Sequence, residues 1–307
     1  MKVGVIGLGN MGRGIALNLR KAGHDMMVHD ARRAVAEPHL TVGSAWGEDV
    51  AEVARFSEVV FTSLPGPPEV ESVALGENGL LANMQPGSTW FDLSTNSPKL
   101  IRRLHALFAE KGINLLDAPV SGGTRGANEG TLAIWVGGDE AVFNKYAGVL
   151  EGMGNAPKYI GPIGAGTVAK LSHNVMTYML QTALMECFTL GVKGGVEPLA
   201  LWDALRHGAI GRTRTFDLIG MYLRGNFDAG GFTLRLAHKD VTLATDLGRE
   251  LGMPMRVANL AMAELTEGMG RGWADKDSWV TALLQEERAG LDFHYTPEQV
   301  QEIRDRP

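Results

Sequence analysis

In Gly164-Ala165-Gly166-Thr167-Val168-Ala169-Lys170-Leu171-Ser172-His173-Asn174, a lysine stands one helical turn ahead of an asparagine. On a helix Lys170, His173 and Asn174 project from one face. The surrounding run is mostly apolar, and a desolvated amine loses proton affinity, which brings it toward the range where it can accept and return a proton during a reaction. Snorkelling, or pairing with a carboxylate, is the alternative for such a lysine. Upstream, Ser121-Gly122-Gly123 lies just past a strand-like segment. Consecutive glycine N–H groups can converge on an anion and the Ser121 hydroxyl adds a donor, so the turn suits a carboxylate; a plain glycine turn is the alternative.

A third group opens the chain. Residues 2–6 read as a strand, Gly7-Leu8-Gly9-Asn10-Met11-Gly12 as a turn, and residues 15–22 as an amphipathic helix. Gly7 permits a tight turn, Gly9 lets the main chain approach a pyrophosphate, and Gly12 lets the helix pack closely on the strand, with its N-terminus facing the phosphates. Asp30 follows a second apolar run, at the distance where a carboxylate accepts hydrogen bonds from the adenosine ribose hydroxyls. Its charge repels a 2′-phosphate, which favours NAD over NADP. Arg32 and Arg33 follow directly and leave NADP open, since guanidinium groups clamp phosphate.

These groups need elements to carry them. Strand-length apolar runs at 59–64, 89–93, 113–116, 132–136 and 158–160 alternate with helical patterns at 48–55, 69–75, 98–111 and 140–150. Ser97-Pro98 fits the start of one helix, with serine as N-cap and proline in the first turn. The alternation predicts a doubly wound, mostly parallel sheet that binds ligands at the carboxyl ends of its strands. Leu64-Pro65 and Ser94-Thr95-Asn96 occupy such ends.

From 167 to 193 the pattern is one long helix, apolar nearly all round. Lys170, His173, Asn174, Gln181 and Glu186 argue against a membrane span, leaving burial inside the protein or a subunit interface. Beyond it the chain reads as helices only, at 198–206, 213–223, 234–251, 255–267 and 278–289, and Thr296-Pro297-Glu298-Gln299 is a capping box opening a short last helix. The expected organisation is a dinucleotide domain at 1–163, a connecting helix at 164–193, an all-α domain at 194–293 and a terminal helix at 294–307.

Composition sets outer limits. With 307 residues, 45% hydrophobic and 21% charged, the chain has ordinary globular character and room for two domains. A net charge of −6 gives no electrostatic reason to expect nucleic acid or an anionic membrane as partner. The single cysteine, Cys187, excludes an intramolecular disulfide and reads as core packing. The glycine motif follows Met1 too closely for a leader peptide, so a cytoplasmic location is expected. No metal-ligand spacing stands out.

Together, GLGNMG, DAPVSGGTRGANEGTL, GAGTVAKLSHN and the late pair Lys239-Asp240 resemble, in order and over about 290 residues, the β-hydroxyacid dehydrogenase family, which includes 3-hydroxyisobutyrate and tartronate semialdehyde dehydrogenases and, more distantly, 6-phosphogluconate dehydrogenase. The resemblance implies an α/β Rossmann domain joined by a long interdomain helix to an all-α domain that builds a homodimer or homotetramer. It implies hydride transfer between NAD (NADP possible) and a small 3-hydroxy acid, with Lys170 moving the proton and Asn174 orienting it. Ser121, Gly122 and Gly123 become the substrate-carboxylate site, Lys239 lies near cofactor and substrate, and Leu64, Pro65 and Thr95 line the cofactor alongside Gly7, Leu8, Gly9, Asn10, Met11, Gly12, Asp30 and Arg32. His173 departs from the asparagine common among enzymes of small acids, which bears on the substrate. Arg212 and Arg214 are candidates for a second anionic group on it. Two alternatives stay open: an imine or carbonyl reductase on the same scaffold, and a non-catalytic dinucleotide-binding regulator.

Overall fold

In the computed structural model the first apolar run becomes the central strand β1 (Lys2–Ile6), buried at every residue after Lys2. The structure describes residues 1–155, 157–212, 222–223, 225–228, 232–290 and 295–304, and a few helical side chains within these are outside the description. Arg214, most of the helix expected at 213–223 and the side chains of Gln181 and Asp240 lie outside the described residues.

Beside β1 run β2 (Asp25–His29) and β4 (Val59–Thr62), both parallel to it. The sheet continues through β3 (Ala45–Trp46) on one side and through β5 (Thr89–Asp92) and β6 (Asn114–Asp117) on the other, all parallel. Past β6 the direction reverses: β8 (Ala133–Gly137) pairs antiparallel with β6 and with the short β7 (Val120–Ser121), while β9 (Lys158–Gly161) runs parallel to β8. The resulting order β3-β2-β1-β4-β5-β6 switches direction between β1 and β4, and a ligand crevice opens at such a switch point.

Strand alternation sorts the apolar side chains into two cores. Val3, Val5, Phe61 and Phe91 pack in one, with Ile15 and Leu19 of α1 (Asn10–Lys21). Ile6, Val60 and Trp90 pack in the other. Around the sheet lie α2 (Glu37–Thr41), α3 (Val50–Phe56), α4 (Pro67–Leu75), α5 (Leu80–Asn83), α6 (Pro98–Ala109), α7 (Gly123–Glu129) and α8 (Glu140–Glu151). Ser97 holds the N-cap position of α6, yet its side chain makes no capping bond.

By internal contacts the chain forms two compact units, Met1–Met176 and Thr177–Pro307, and the division falls within the long helix α9 (Ala165–Lys193). The described elements of the second unit are helical, and Tyr222, Phe227, Leu234, Leu265 and Val280 form its core. Glu186 of α9 has a structural task there, because its carboxylate accepts from the amides of Val257 (3.1 Å) and Ala258 (2.9 Å) and so caps the helix Arg256–Gly270. The last helix, Pro297–Arg304, starts with a reciprocal capping box: Thr296 N–H donates to Gln299 Oε1 (2.9 Å) and Gln299 N–H to Thr296 Oγ1 (3.3 Å).

One expectation needs correction. Cys187 is exposed rather than packed in the core, because it falls on the outer side of α9; its partly desolvated surroundings and the neighbouring Glu186 charge raise the thiol pKa, which keeps it a poor nucleophile. On α9 the apolar side chains of Met179, Leu180 and Leu184 are exposed, which leaves the subunit-interface reading of this helix in place. Among the described residues no helix is long and apolar enough to cross a membrane.

Candidate active site

The glycine motif builds a cavity. Gly7 has φ +93°, and a Cβ there would stand 2.3 Å from the Ser63 carbonyl oxygen; on Gly12 a Cβ would stand 1.9 Å from the Gly7 carbonyl oxygen. Strand, turn and helix therefore meet at backbone distance, which only glycine allows. Gly9 differs. A Cβ on it meets nothing within 4 Å, so the space in front of it is open among the described residues. It is the N-cap of α1, which has no side-chain cap and no acidic residue in its first turn. Uncapped N–H groups at the positive end of a helix dipole, facing an open cradle, fit a pyrophosphate.

The cavity in front of this turn encloses about 910 Å³. Gly7, Gly9, Asn10, Met11, Asp30, Arg32, Leu64 and Pro65 of the expected set line it, together with residues not anticipated, among them His29, Ser63 and Glu69. Leu8 serves differently, its side chain in the core and its N–H donating to Asp30 Oδ2 (2.8 Å). Asp30 also accepts from the Arg32 N–H (2.9 Å), so the carboxylate is fixed at the end of β2. Arg32 reaches back to Asp30 (3.5 Å), while Arg33 lies over the Trp46 ring (4.9 Å) and pairs with Glu48 (3.5 Å).

Behind the Leu64-Pro65 and Ser94-Thr95-Asn96 turns is a buried network the sequence did not reveal. Asp92, 1% exposed at the end of β5, accepts from Thr62 Oγ1 (2.8 Å), Asn96 Nδ2 (2.8 Å) and Ser94 N–H (3.2 Å). Ser94 Oγ in turn accepts the Leu64 N–H (3.0 Å), which ties the β4 turn to the β5 turn. Burial raises the Asp92 carboxyl pKa, and the hydrogen bonds from Asn96, Ser94 and Thr62 act against that rise. Thr95 is half-buried in the same turn and is not part of the cavity wall.

The second chemical group gathers around β7, β8 and α9. Ser121 pairs with Ala133 across the β7–β8 ladder, so its side chain shares a face with Ala133 and Trp135, while Val120 and Ile134 turn to the core. Trp135 meets the His173 ring at 5.2 Å and 50°. Ser121 and the His173–Asn174 pair are thereby brought to one side of the sheet. Gly122 and Gly123 follow with φ +135° and +62°, and α7 begins there rather than a simple turn.

On α9, Lys170 is half-buried, and burial lowers its ammonium pKa below that of an ordinary lysine. His173 Nδ1 lies 3.2 Å from Asn174 Oδ1, within hydrogen-bonding distance, and the Asn174 amide stands one turn beyond the lysine. The start of α9 is held by Asp117 at the end of β6, another residue missed in the sequence. Its carboxylate accepts from the N–H groups of Gly164 (2.7 Å) and Thr167 (2.6 Å) and from Thr167 Oγ1 (2.8 Å). Arg212 and Lys239 are exposed residues of the second unit.

Comparison with known proteins identifies the family. The family described as the NAD binding domain of 6-phosphogluconate dehydrogenase matches residues 2–197, and the one described as NAD-binding of NADP-dependent 3-hydroxyisobutyrate dehydrogenase matches residues 164–286. The chain is 35% identical to 2-(hydroxymethyl)glutarate dehydrogenase of Eubacterium barkeri over 95% of this chain and 97% of that one. It is 32% identical to the NAD-dependent L-serine dehydrogenase of Pseudomonas aeruginosa, covering 92% and 97%. Among solved structures, Mycobacterium tuberculosis 3-hydroxyisobutyrate dehydrogenase with L-serine superposes with a TM-score of 0.65 at 30% identity, covering 91% and 97%. The chain therefore belongs to the NAD(P)-dependent β-hydroxyacid dehydrogenase family, as an enzyme related to 3-hydroxyisobutyrate dehydrogenase.

Proposed function

We propose that the protein is an NAD-dependent dehydrogenase of a small 3-hydroxy acid, interconverting it with the 3-oxo acid or semialdehyde. The observation that carries this reading is Lys170: a half-buried amine of lowered pKa, one turn ahead of an asparagine whose amide is held by His173. A dinucleotide held by the Gly7–Gly12 turn and Asp30 would supply the hydride acceptor for the carbon bearing the 3-hydroxyl. Lys170, neutral at that moment, takes the hydroxyl proton on Nζ, and in the reverse direction its ammonium returns that proton to the carbonyl oxygen. Asn174 Nδ2 donates to the same oxygen and orients it. The carboxylate is held by the Ser121 hydroxyl and the main-chain N–H groups of Gly122 and Gly123. Arg212 and Arg214 are assigned to a second anionic group, and Lys239 and Thr95 to the nicotinamide end.

Three observations support NAD. Asp30 is fixed in the cavity wall, Glu69 adds a second carboxylate to that wall, and Arg33 is engaged with Trp46 and Glu48. A 2′-phosphate would meet the Asp30 charge, with Arg32 drawn back onto that carboxylate. For the assembly we infer a homodimer through the second unit, where Leu199 (71% exposed), Trp202 and Leu205 form one stripe of the helix Pro198–His207 and Ile210 follows it.

The test is a panel of 3-hydroxyisobutyrate, L-serine and 2-(hydroxymethyl)glutarate with NAD⁺ and with NADP⁺, read by absorbance of the reduced nicotinamide. Turnover of at least one acid, faster with NAD⁺, is expected. Inertness toward every hydroxy acid together with reduction of cyclic imines would overturn the reading.

A further inference from the structure

We propose that the Asp117 carboxylate is the positioning residue that sets the reach between the acid-holding turn and the proton-transferring amine. The inference rests on the role given to Lys170 above and adds a residue that joins the two halves of the site.

Both halves hang from the end of β6. In the chain direction, Asp117 leads within four residues to Ser121, and little slack remains between them. Ala118 N–H donates to the Asp92 carbonyl (2.8 Å), Trp135 N–H donates to the Pro119 carbonyl (3.2 Å), and Ser121 is already in register with Ala133. Through its side chain, Asp117 holds Gly164 and Thr167, the first turn of α9. Lys170 follows Thr167 by three residues, which at the helical rise is about 4.5 Å along the axis. One carboxylate thus fixes the start of the lysine's helix relative to the strand that delivers the serine.

The joint is tight and dry. Asp117 and Thr167 are each 1% exposed. A Cβ on Gly166 would stand 2.3 Å from the Trp135 carbonyl oxygen and 2.8 Å from that of Asp117, and one on Gly137 would stand 2.5 Å from Asp117 Oδ1. The chemistry at the joint is selective as well. All of the carboxylate's partners donate, so an acceptor-only group suits the site, and a negative charge at the first turn of a long helix is favoured by the helix dipole. Asparagine, of nearly the same shape, would turn an N–H₂ toward one of these donors. Burial raises the Asp117 pKa although the hydrogen bonds oppose it, the mark of a carboxylate kept in an expensive place.

The experiment compares Asp117→Asn, Thr167→Val, Thr167→Ser, Lys170→Ala and the double variant Asp117→Asn/Lys170→Ala. The substrate is whichever of 3-hydroxyisobutyrate, L-serine and 2-(hydroxymethyl)glutarate the wild type turns over best, and NAD⁺ affinity is measured separately by fluorescence. Asp117→Asn and Thr167→Val are expected to lower kcat by about 10–100-fold, the scale of a roughly 1 Å misplacement, while the NAD⁺ Kd stays within about twofold. Thr167→Ser, which keeps the hydroxyl, restores most of the rate. In the Lys170→Ala background the Asp117→Asn change has no further effect, because the residue acts through the lysine. If Asp117→Asn does not fold, the charge-neutral Thr167→Val decides alone. Wild-type kcat in the folded variants overturns the proposal, as does an equal fall in NAD⁺ affinity or a full additive loss in the double variant. Undiminished turnover by Lys170→Ala alone is a different failure, that of the lysine's assignment.

Discussion

A single amine carries the proposed chemistry, and its environment sets the pH at which it works. The lysine must be neutral to accept the hydroxyl proton, so kcat/KM for oxidation rises with pH through its pKa and that for reduction falls. Because burial lowers this pKa, the midpoint of both profiles lies below that of an ordinary lysine. The same shift has a cost in stability. A depressed lysine pKa means that holding the charge disfavours the folded state at neutral pH, and this penalty fades as pH rises through the folded value toward the unfolded one. Lys170→Met is therefore expected to raise the thermal midpoint at pH 7 while cutting turnover by about 10²–10⁴-fold and leaving NAD⁺ binding intact. Asp30→Ala is expected to shift the ratio of kcat/KM for NAD⁺ over NADP⁺ by about tenfold toward NADP⁺, and an unchanged ratio would remove Asp30 from ribose recognition. Lys170 and Asp30 were legible in the sequence because local spacing marks them. Asp92 and Asp117 were not, since the bonds that tie them to other elements reach Thr62, 30 positions away, and Gly164 and Thr167, 47 and 50 positions away. The one signal available was an acidic residue closing an apolar strand.

Among the elements, those with strong periodicity were legible and those made by packing were not. The long helix was expected at 164–193 and runs Ala165–Lys193. By contrast α7, with glycines at 123 and 126 and no apolar stripe, has poor intrinsic helix propensity. It exists because α1 supports it: Asn18 Nδ2 donates to the Ala127 carbonyl (2.8 Å), and Gly14 lets the two backbones touch, a Cβ there standing 2.6 Å from the Ala127 carbonyl. The role of Glu186 was hidden for a related reason, as a charge on an apolar helix reads only as an interruption until the helix end it caps is known. Glu186→Ala is expected to lower stability by about 1 kcal/mol, visible as a fall of roughly 2–4 °C in the unfolding midpoint of the second unit followed by calorimetry.

For the whole molecule, composition and motif order conveyed the two-part architecture, but not which apolar surface remains outside. The stripe of Leu199, Trp202 and Leu205 leads to the expectation that Trp202→Glu converts a dimer into monomers in sedimentation velocity. A monomeric wild type would refute the inferred assembly. The wall of the dinucleotide cavity has a consequence of its own: among the described residues its lining runs from Ile6 to Val73, whereas Asp117, the glycine pair and the amine all come later in the chain. On the proposed assignment, the residues that read the adenosine ribose and those that hold the acid fall in separate stretches of the chain. A chimera that takes only its first strands from an NADP-using homologue should exchange the electron carrier and keep the substrate, and evolution could re-plumb the protein to another reductant pool by the same single crossover.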